Sequence, residues 1–522
     1  MINKLRLLIK LNILTPNGLY TLIQSIRANG INLMALLGFS ARLYPQRIAV
    51  QDDSGTLTYA QLYQQSRNIA SALCHHHRLK PGHKVALICR NHALLLKSLF
   101  ACSYAGADIY LLNTEINLRQ FSAFIDKHQF DLIIHDANIA PLLAEAGFSG
   151  TAIPAENSDS VSIQSYAHTS GLLAKQIKHG PGKIIVLTSG STGDFKAAAR
   201  KPSLFAFLNP LYALLTKLEL FHYRSIYIAT PVYHGFGLAT LSIATLMGAT
   251  VYLTRKFDAD NASHLIAEHQ IEVITLVPLM LSRMLYRSAD KLLCLRCIIS
   301  GGAQLQPRLV ADTRTQLGDK LFNLYGTSEA GICTIATPRD LAHSASTIGI
   351  PIEGLTIQLL DNQSGLPVYQ HHVVGRLAIK CPWAAQNNGD LIETGDLGFH
   401  DADGYYYLSG RADSMIVSGG ENVYPVELED AITQHPIISE CVVIGIPNAE
   451  FGQRLKAFIV TQQPDSLTAE QLKLWLSERI ARYQMPEEIV FLHEIPLTPI
   501  GKPDLKYLSQ QITSEKQPNG QE

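Results

Sequence analysis

Residues 184–196 read IIVLTSGSTGDFK, and this stretch decides how the rest of the chain is read. A run of β-branched and aliphatic residues empties into Thr188, Ser189, Gly190, Ser191, Thr192 and Gly193, and Lys196 follows three residues later. Glycine lets backbone N–H groups approach an anion closely, and the hydroxyls add further donors. The lysine adds a point charge, so the segment reads as a phosphate cradle at the mouth of a strand. It is not the Walker pattern, which places four residues between its first glycine and Gly-Lys-Ser/Thr. Gly/Ser/Thr strings alone are common in polar turns; the strand before and the lysine after favour the cradle.

Outward from this point, short β-rich runs alternate with helical stretches from about residue 46 to 410. The runs include 84–89, 131–135, 225–230, 250–254 and 273–277, and helical patterns span 60–75 and 259–269. Such alternation predicts an α/β fold, with parallel-rich sheets wrapped by helices. Near residue 410 the character changes: short strands (405–408, 441–446, 456–460) alternate with helical patterns at 425–434 and 468–483, which predicts a small α+β unit. The last dozen residues are polar and read as a frayed tail.

Three more segments suit a nucleotide. Residues 323–329, NLYGTSE, offer an aromatic face, a glycine turn, hydroxyls and an acid able to hold Mg²⁺. Thr394-Gly395-Asp396 ends a polar loop in a carboxylate that can grip two sugar hydroxyls. Gly410-Arg411 follows a strand and brings a fixed fork of donors. Each alone is an ordinary turn; their order is informative.

From Phe39 to Tyr507 these motifs, with the sequence around them, resemble the adenylate-forming superfamily of AMP-binding enzymes. Within it the chain looks most like bacterial fatty acyl-CoA ligases, especially between Asp413 and Val460 (MIVSGGENVYPVELED, EFGQRLKAFIV). The resemblance implies a large domain over 39–409, a hinge at 410–414, a small mobile domain over 415–508 and a tail from 509, after a separate segment 1–38. It implies that Thr188 to Lys196 hold the β- and γ-phosphates. Gly301, Gly302 and Ala303, with Tyr325, would form the adenine slot, and Gly326 would also bind ATP. Thr327 would meet the α-phosphate, Glu329 the Mg²⁺, and Asp396 and Arg411 the ribose. His234 would lie beside the acid, Lys502 would drive adenylation, Asp413 would be the hinge, and Gly419 and Gly420 would line the thiol channel. The cofactors implied are ATP, Mg²⁺ and CoA, and the reaction is conversion of a carboxylic acid to acyl-AMP and then to a thioester.

Departures from the family pattern stand beside these matches. Phe195 replaces a usual proline, Ser414 a common aspartate, and the stretch from Lys380 to Glu393 is short. Gln484 and Glu487 stand where lysines are common, with Arg482, Arg454 and Lys456 near in sequence to compensate.

The acid is read from the stretch after His234, GFGLATLSIATLMGA, where Gly235, Ala239 and Ser242 have helical spacing. That face would leave room for a hydrocarbon chain, or allow close helix packing. No Arg or Lys stands there to pair with a second carboxylate, so a monoacid is expected. A medium- or long-chain fatty acid joined to CoA is the leading expectation. The alternatives are loading of an acyl carrier protein and an aryl or other non-fatty monoacid.

A formal net charge of −1 over 522 residues gives no pull toward nucleic acid. Eight scattered cysteines form no disulfide framework, and the Cys294/Cys297 pair lacks the second pair of a zinc ribbon. His75, His76 and His77 read as a surface turn. Residues 1–51 hold no Asp or Glu but carry Lys4, Arg6, Lys10, Arg27, Arg42 and Arg47. Arg6 and Lys10 interrupt what a signal peptide would keep apolar. On a helix Asn3, Arg6 and Lys10 share a side, which suits a membrane-interface helix; the competing reading is a cap on the core. A cytoplasmic enzyme, either free or peripheral on a membrane, is expected.

Overall fold

The computed structural model describes residues 2–156, 161–169, 180–189, 195–200, 208–384, 391–418, 421–448, 452–463 and 466–514. Two sheets make the body of the large domain. In one, Thr151–Pro154, Leu132–His135, Lys84–Ile88, Asp108–Leu111 and Ile184–Ser189 run parallel in that spatial order. Phe195–Arg200 closes its edge antiparallel to Ile184–Ser189, with Thr188 opposite Lys196. The phosphate-cradle sequence thus joins the two arms of a hairpin.

The other sheet has a parallel centre: Thr250–Tyr252, Ser225–Ile228, Val273–Leu276, Cys297–Gly301 and Leu321–Thr327. These strands are buried on both faces, which is why they read as continuous apolar runs. From Leu321 onward the sheet departs from the expected pattern. Gly331–Ala336, Thr347–Pro351, Tyr406–Arg411, Ile392–His400, Gly375–Lys380 and Thr356–Leu360 continue it antiparallel. Short turns such as 401–405 cannot accommodate a crossover helix, so neighbouring strands must reverse.

A third sheet builds the small domain. The long hairpin Ile438–Asn448 and Gly452–Thr461 is flanked by Ile416–Ser418, Glu421–Val423 and, in parallel, Glu488–Phe491. Helices Pro425–Thr433 and Ala469–Ser477 pack their Leu428, Ile432, Leu472 and Leu476 into its core. The second helix stops well short of the expected Tyr483; a single 3₁₀ turn, Arg482–Gln484, follows it. The three histidines are helical at 75 and 76 and cap the helix Tyr59–His76 at 77, whose Nε2 lies 2.8 Å from Tyr166 Oη.

The N-terminal segment forms three helices, α1 (Ile2–Lys10), α2 (Pro16–Asn29) and α3 (Leu33–Leu43). Leu7 and Leu11 enter the main core, and α3 is buried along most of its length. No helix among the described residues is long and apolar enough to cross a membrane.

Candidate active site

Strands Cys297–Gly301 and Leu321–Thr327 lie side by side with Gly301 opposite Leu324. Gly302 and Ala303 leave one strand end, and Tyr325, Gly326 and Thr327 close the other, forming the crevice that parallel strands open at their carboxyl ends. Gly302 adopts a φ of 80°, and a Cβ built there would come 4.0 Å from Lys502 Cε. The lysine from the small domain therefore faces this turn. Thr327 Oγ1 accepts from Ala330 N at 3.1 Å, fixing the bend that carries Glu329. Glu329 is half-buried and takes no hydrogen bond or ion pair among the described residues. An unpaired carboxylate on this rim fits Mg²⁺, a hard cation held by one or two carboxylates plus phosphate oxygens.

The facing wall is a carboxylate held between two donors. Asp396 sits opposite Arg411 in the antiparallel pair. Tyr325 Oη donates to its Oδ2 at 2.7 Å, and Arg411 Nη1 to its Oδ1 at 3.1 Å. Burial raises the Asp396 pKa, and the Tyr325 bond and Arg411 charge oppose that rise. Burial also pushes the Tyr325 phenol far above its usual range, with the Asp396 charge adding to it, so the phenol stays a donor. Arg411 is not wholly free for a ribose. Its Nε and Nη2 donate to Asp413 at 2.8 and 3.1 Å, tying the proposed ribose ligand to the proposed hinge.

His234 begins the helix Gly235–Met247 without a capping bond, and its buried Nε2 has no partner among the described residues. Burial, with Lys502's charge behind it, lowers its pKa to about 4, so the ring is neutral at pH 7. An orphaned ring nitrogen beside an ammonium suits an incoming carboxylate or phosphate oxygen. The pKa of Lys502 is itself lowered, first by burial and then by Arg411, against the pull of Asp396. Solvent reaches the side chain through the open cleft, which limits that shift.

What brings Lys502 here is a turn and two arginine contacts that sequence reasoning missed. Gly501, at φ 78°, lies so close to the start of helix Pro278–Ser288 that a Cβ would come 2.5 Å from Met280 Cε. From that helix Arg283 donates through Nε and Nη2 to both oxygens of Glu440 (2.9 and 3.0 Å). It also donates to Ile495 O (2.7 Å) and pairs with Glu494. Arg308 donates to the main-chain oxygens of Thr433, His435, Pro436 and Ile438 at 2.6–2.9 Å. Nothing in the local spacing of either arginine marks it, because both partners lie far along the chain.

Other expected site residues are placed only in part. Thr188, Ser189 and Lys196 stand on the arms of the hairpin; Gly190, Ser191, Thr192, Gly193, Gly419 and Gly420 lie outside the described residues.

Beneath the crevice floor lies a narrow, partly open apolar cavity. Phe236, Ala239, Thr240 and Ile243 face it from helix Gly235–Met247, and Ile299 and Leu324 from the strands. Of the small residues expected to line it, only Ala239 does. Gly235 is exposed, and Ser242 Oγ donates to Leu238 O at 2.8 Å. The lining face is one step round the helix from the one read in the sequence.

The Cys294/Cys297 pair joins no metal cluster among the described residues. Cys89, His92 and Asp136 are close enough to hold an ion, but His92 Nδ1 caps Leu95 N and its Nε2 lies 2.8 Å from Asp136 Oδ1. With both ring nitrogens committed, the trio reads as a structural pin.

An enzyme that activates a carboxylate with ATP must bring several anions together in a cleft and supply the positive charge locally. The crevice, with its half-buried Asp396 and inserted Lys502, belongs to a chain of that class: an AMP-forming acid–thiol ligase that works through an acyl-adenylate and uses ATP, Mg²⁺ and CoA. Residues 39–387 match the family model described as AMP-binding enzyme, and residues 427–502 match the AMP-binding enzyme C-terminal domain. The first match spans more than half of the chain, which belongs to the AMP-binding enzyme family. A 2-succinylbenzoate–CoA ligase of Bacillus subtilis is 26% identical over 488 residues, covering 87% of this chain and 93% of the relative. A feruloyl-CoA synthase of Amycolatopsis sp. is 28% identical over 480 residues, covering 88% and 95%. Among solved structures, an anthranilate CoA ligase in complex with anthranoyl-AMP superposes with a TM-score of 0.81 at 22% identity, covering 93% of this chain and 98% of that one.

Proposed function

We propose that this ligase joins CoA to an aryl monocarboxylic acid, ring-bearing and without a second charge. The observation that carries the reading is the cavity beneath His234 and Tyr325. Its lining is aliphatic and aromatic apart from Thr240, whose hydroxyl is committed to Phe236 O at 3.0 Å. No cation lines it to receive a second carboxylate, which separates the expected substrate from succinylbenzoate. The fatty-acid expectation gives way to the aryl alternative because the similar ligases are named for ring-bearing acids. The relatives named for feruloyl and succinylbenzoyl transfer support a ring at this site.

In this reading His234, neutral and with a free ring nitrogen, positions the acid at the mouth of the cavity. The acid's oxygen attacks the α-phosphorus of ATP and pyrophosphate leaves. Lys502 supplies charge that counts most as negative charge gathers in the transition state. Mg²⁺, held by Glu329, would neutralise phosphate charge. Asp396, steadied by Tyr325 and Arg411, grips the ribose. Rotation about Asp413 then withdraws Lys502 and brings 419–420 to the thiol, so that one cleft serves two reactions in turn.

Two of the three cations expected to compensate for Gln484 and Glu487 are otherwise engaged. Lys456 Nζ lies 2.8 Å from Glu488, and Arg454 Nε 3.6 Å from Glu487. A contact to the 3′-phosphate of CoA then falls to Arg482.

The test is pyrophosphate release with CoA across benzoate, hydroxycinnamates, succinylbenzoate, octanoate and palmitate. Aryl monoacids should exceed the others in kcat/KM by roughly tenfold or more, the worth of one or two well-placed apolar groups. Ala239→Phe should remove that preference while leaving the KM for ATP unchanged. Palmitate or succinylbenzoate as the best substrate would refute the reading.

A further inference from the structure

We propose that α1 and α2 form a docking surface for an anionic phospholipid bilayer. The argument begins with α2, whose amphipathic order is inside out. Its buried residues are Gly18, Thr21, Ser25 and Asn29, while Leu19, Tyr20 and Ile23 face solvent at 40%, 62% and 49% exposure. The inward polar groups are satisfied by partners built for them. Ser25 Oγ donates to Ala35 O at 2.6 Å, Asn29 Nδ2 to Ser25 O at 2.8 Å, and Tyr63 Oη to Asn29 Oδ1 at 2.9 Å. The helix is therefore held in place by hydrogen bonds and leaves its apolar side unused.

Its neighbour in sequence repeats the pattern. α1 sinks Leu7 into the core, as does Leu11 just past its end, and leaves Leu5 and Ile9 exposed at 52% and 47%; Ile31, just past α2, is exposed at 53%. Single exposed apolar residues are ordinary, but six within one short segment are not.

Charge selects the occupant. Residues 1–51 contain no acid, and Arg6 and Arg27 are exposed on the same two helices as the apolar side chains. Lys10 is exposed too, with its Nζ 4.6 Å from the Phe221 ring centroid. Apolar residues with a tyrosine and purely basic charge match the interface of a bilayer carrying negative headgroups. A protein partner would equally accept acidic residues on these two helices, and neither helix carries one. The segment also precedes residue 39, where the match to the catalytic family begins, so docking leaves the chemistry untouched.

The experiment is co-sedimentation of the full chain with vesicles of phosphatidylcholine alone or with phosphatidylglycerol. Pyrophosphate release is the control for folding. Binding to the anionic vesicles at low salt, weakened by added salt, is expected. Tyr20→Ser/Ile23→Ser should abolish it with activity intact. Arg6→Gln/Arg27→Gln should weaken it roughly 25-fold, about fivefold per charge. Three results would overturn the proposal: no sedimentation with anionic vesicles, equal binding to neutral vesicles, or a lipid-free dimer that the Tyr20/Ile23 variant dissolves.

Discussion

Replacing Arg283 with alanine should slow adenylation and spare thioester formation. The guanidinium and the Glu440 carboxylate are only 10% and 8% exposed, and they meet through two N–H···O bonds, with a third to Ile495 O. Without Arg283, the Glu440 carboxylate keeps one weak donor, Ile495 N at 3.3 Å, in a space closed to water. Breaking a buried pair from one side costs about 3–5 kcal/mol. In the proposed rotation the cost falls on the docked posture alone, since Glu440 would regain water once the small domain swings out. Taking about 3 kcal/mol, the docked posture loses roughly 100-fold in population, and the first half-reaction falls by up to that factor. The assay compares pyrophosphate release with thioester formation from supplied acyl-adenylate, the second also reporting that the variant folds. Equal loss in both, or no loss in the first, would refute the idea that Arg283 holds Lys502 in place.

Lys502→Ala should likewise abolish adenylation while retaining the thioester step, with a loss on the order of 10²- to 10³-fold for one charge aimed at the transition state. Measuring the two half-reactions separately checks it, and equal damage to both would contradict the rotation. His234 should titrate near pH 4 by NMR, as burial and Lys502 require. Between about 4 and 6.5 the unfolded chain binds the extra proton, so stability should rise with pH across that window by about 3 kcal/mol from this group; titration near 6.5 would show the ring exposed. Burial raises Glu429 to about 7, although Val443 N donates to it at 2.8 Å. Its neutral form is favoured in the folded state, so its contribution is full below pH 4.5 and lost as pH rises through 7. Glu429→Gln should therefore stabilise the protein at pH 8 by about 1–3 kcal/mol and not at pH 4, read from denaturant melts at the two pH values.

Part of this is legible in the sequence because local chemistry is enough. The parallel strands announced themselves as apolar runs, Tyr325 and Asp396 fell in motifs whose order carried the reading, and Lys502 came only from the family resemblance. What was not legible depends on partners distant in sequence. Arg283 looks like one more cation on a helix until Glu440 is placed beside it. The cavity face was misread because Gly235 and Ser242 are small but turn elsewhere, whereas Phe236 and Thr240 turn inward. The inverted face of α2 was hidden for a related reason: Ser25 and Asn29 are buried only because Ala35 and Tyr63 meet them.

The two arginines that join the domains differ in what they hold. Arg283 grips a carboxylate, so its loss is open to rescue by a second change at Glu440 that removes the stranded charge. Arg308 grips four main-chain oxygens between residues 433 and 438. Every amino acid carries that oxygen, so side chains in this loop can drift without weakening the contact. By the same token, a selection for suppressors of Arg308→Ala should return no revertants within 433–438, while one for Arg283→Ala should find them at Glu440.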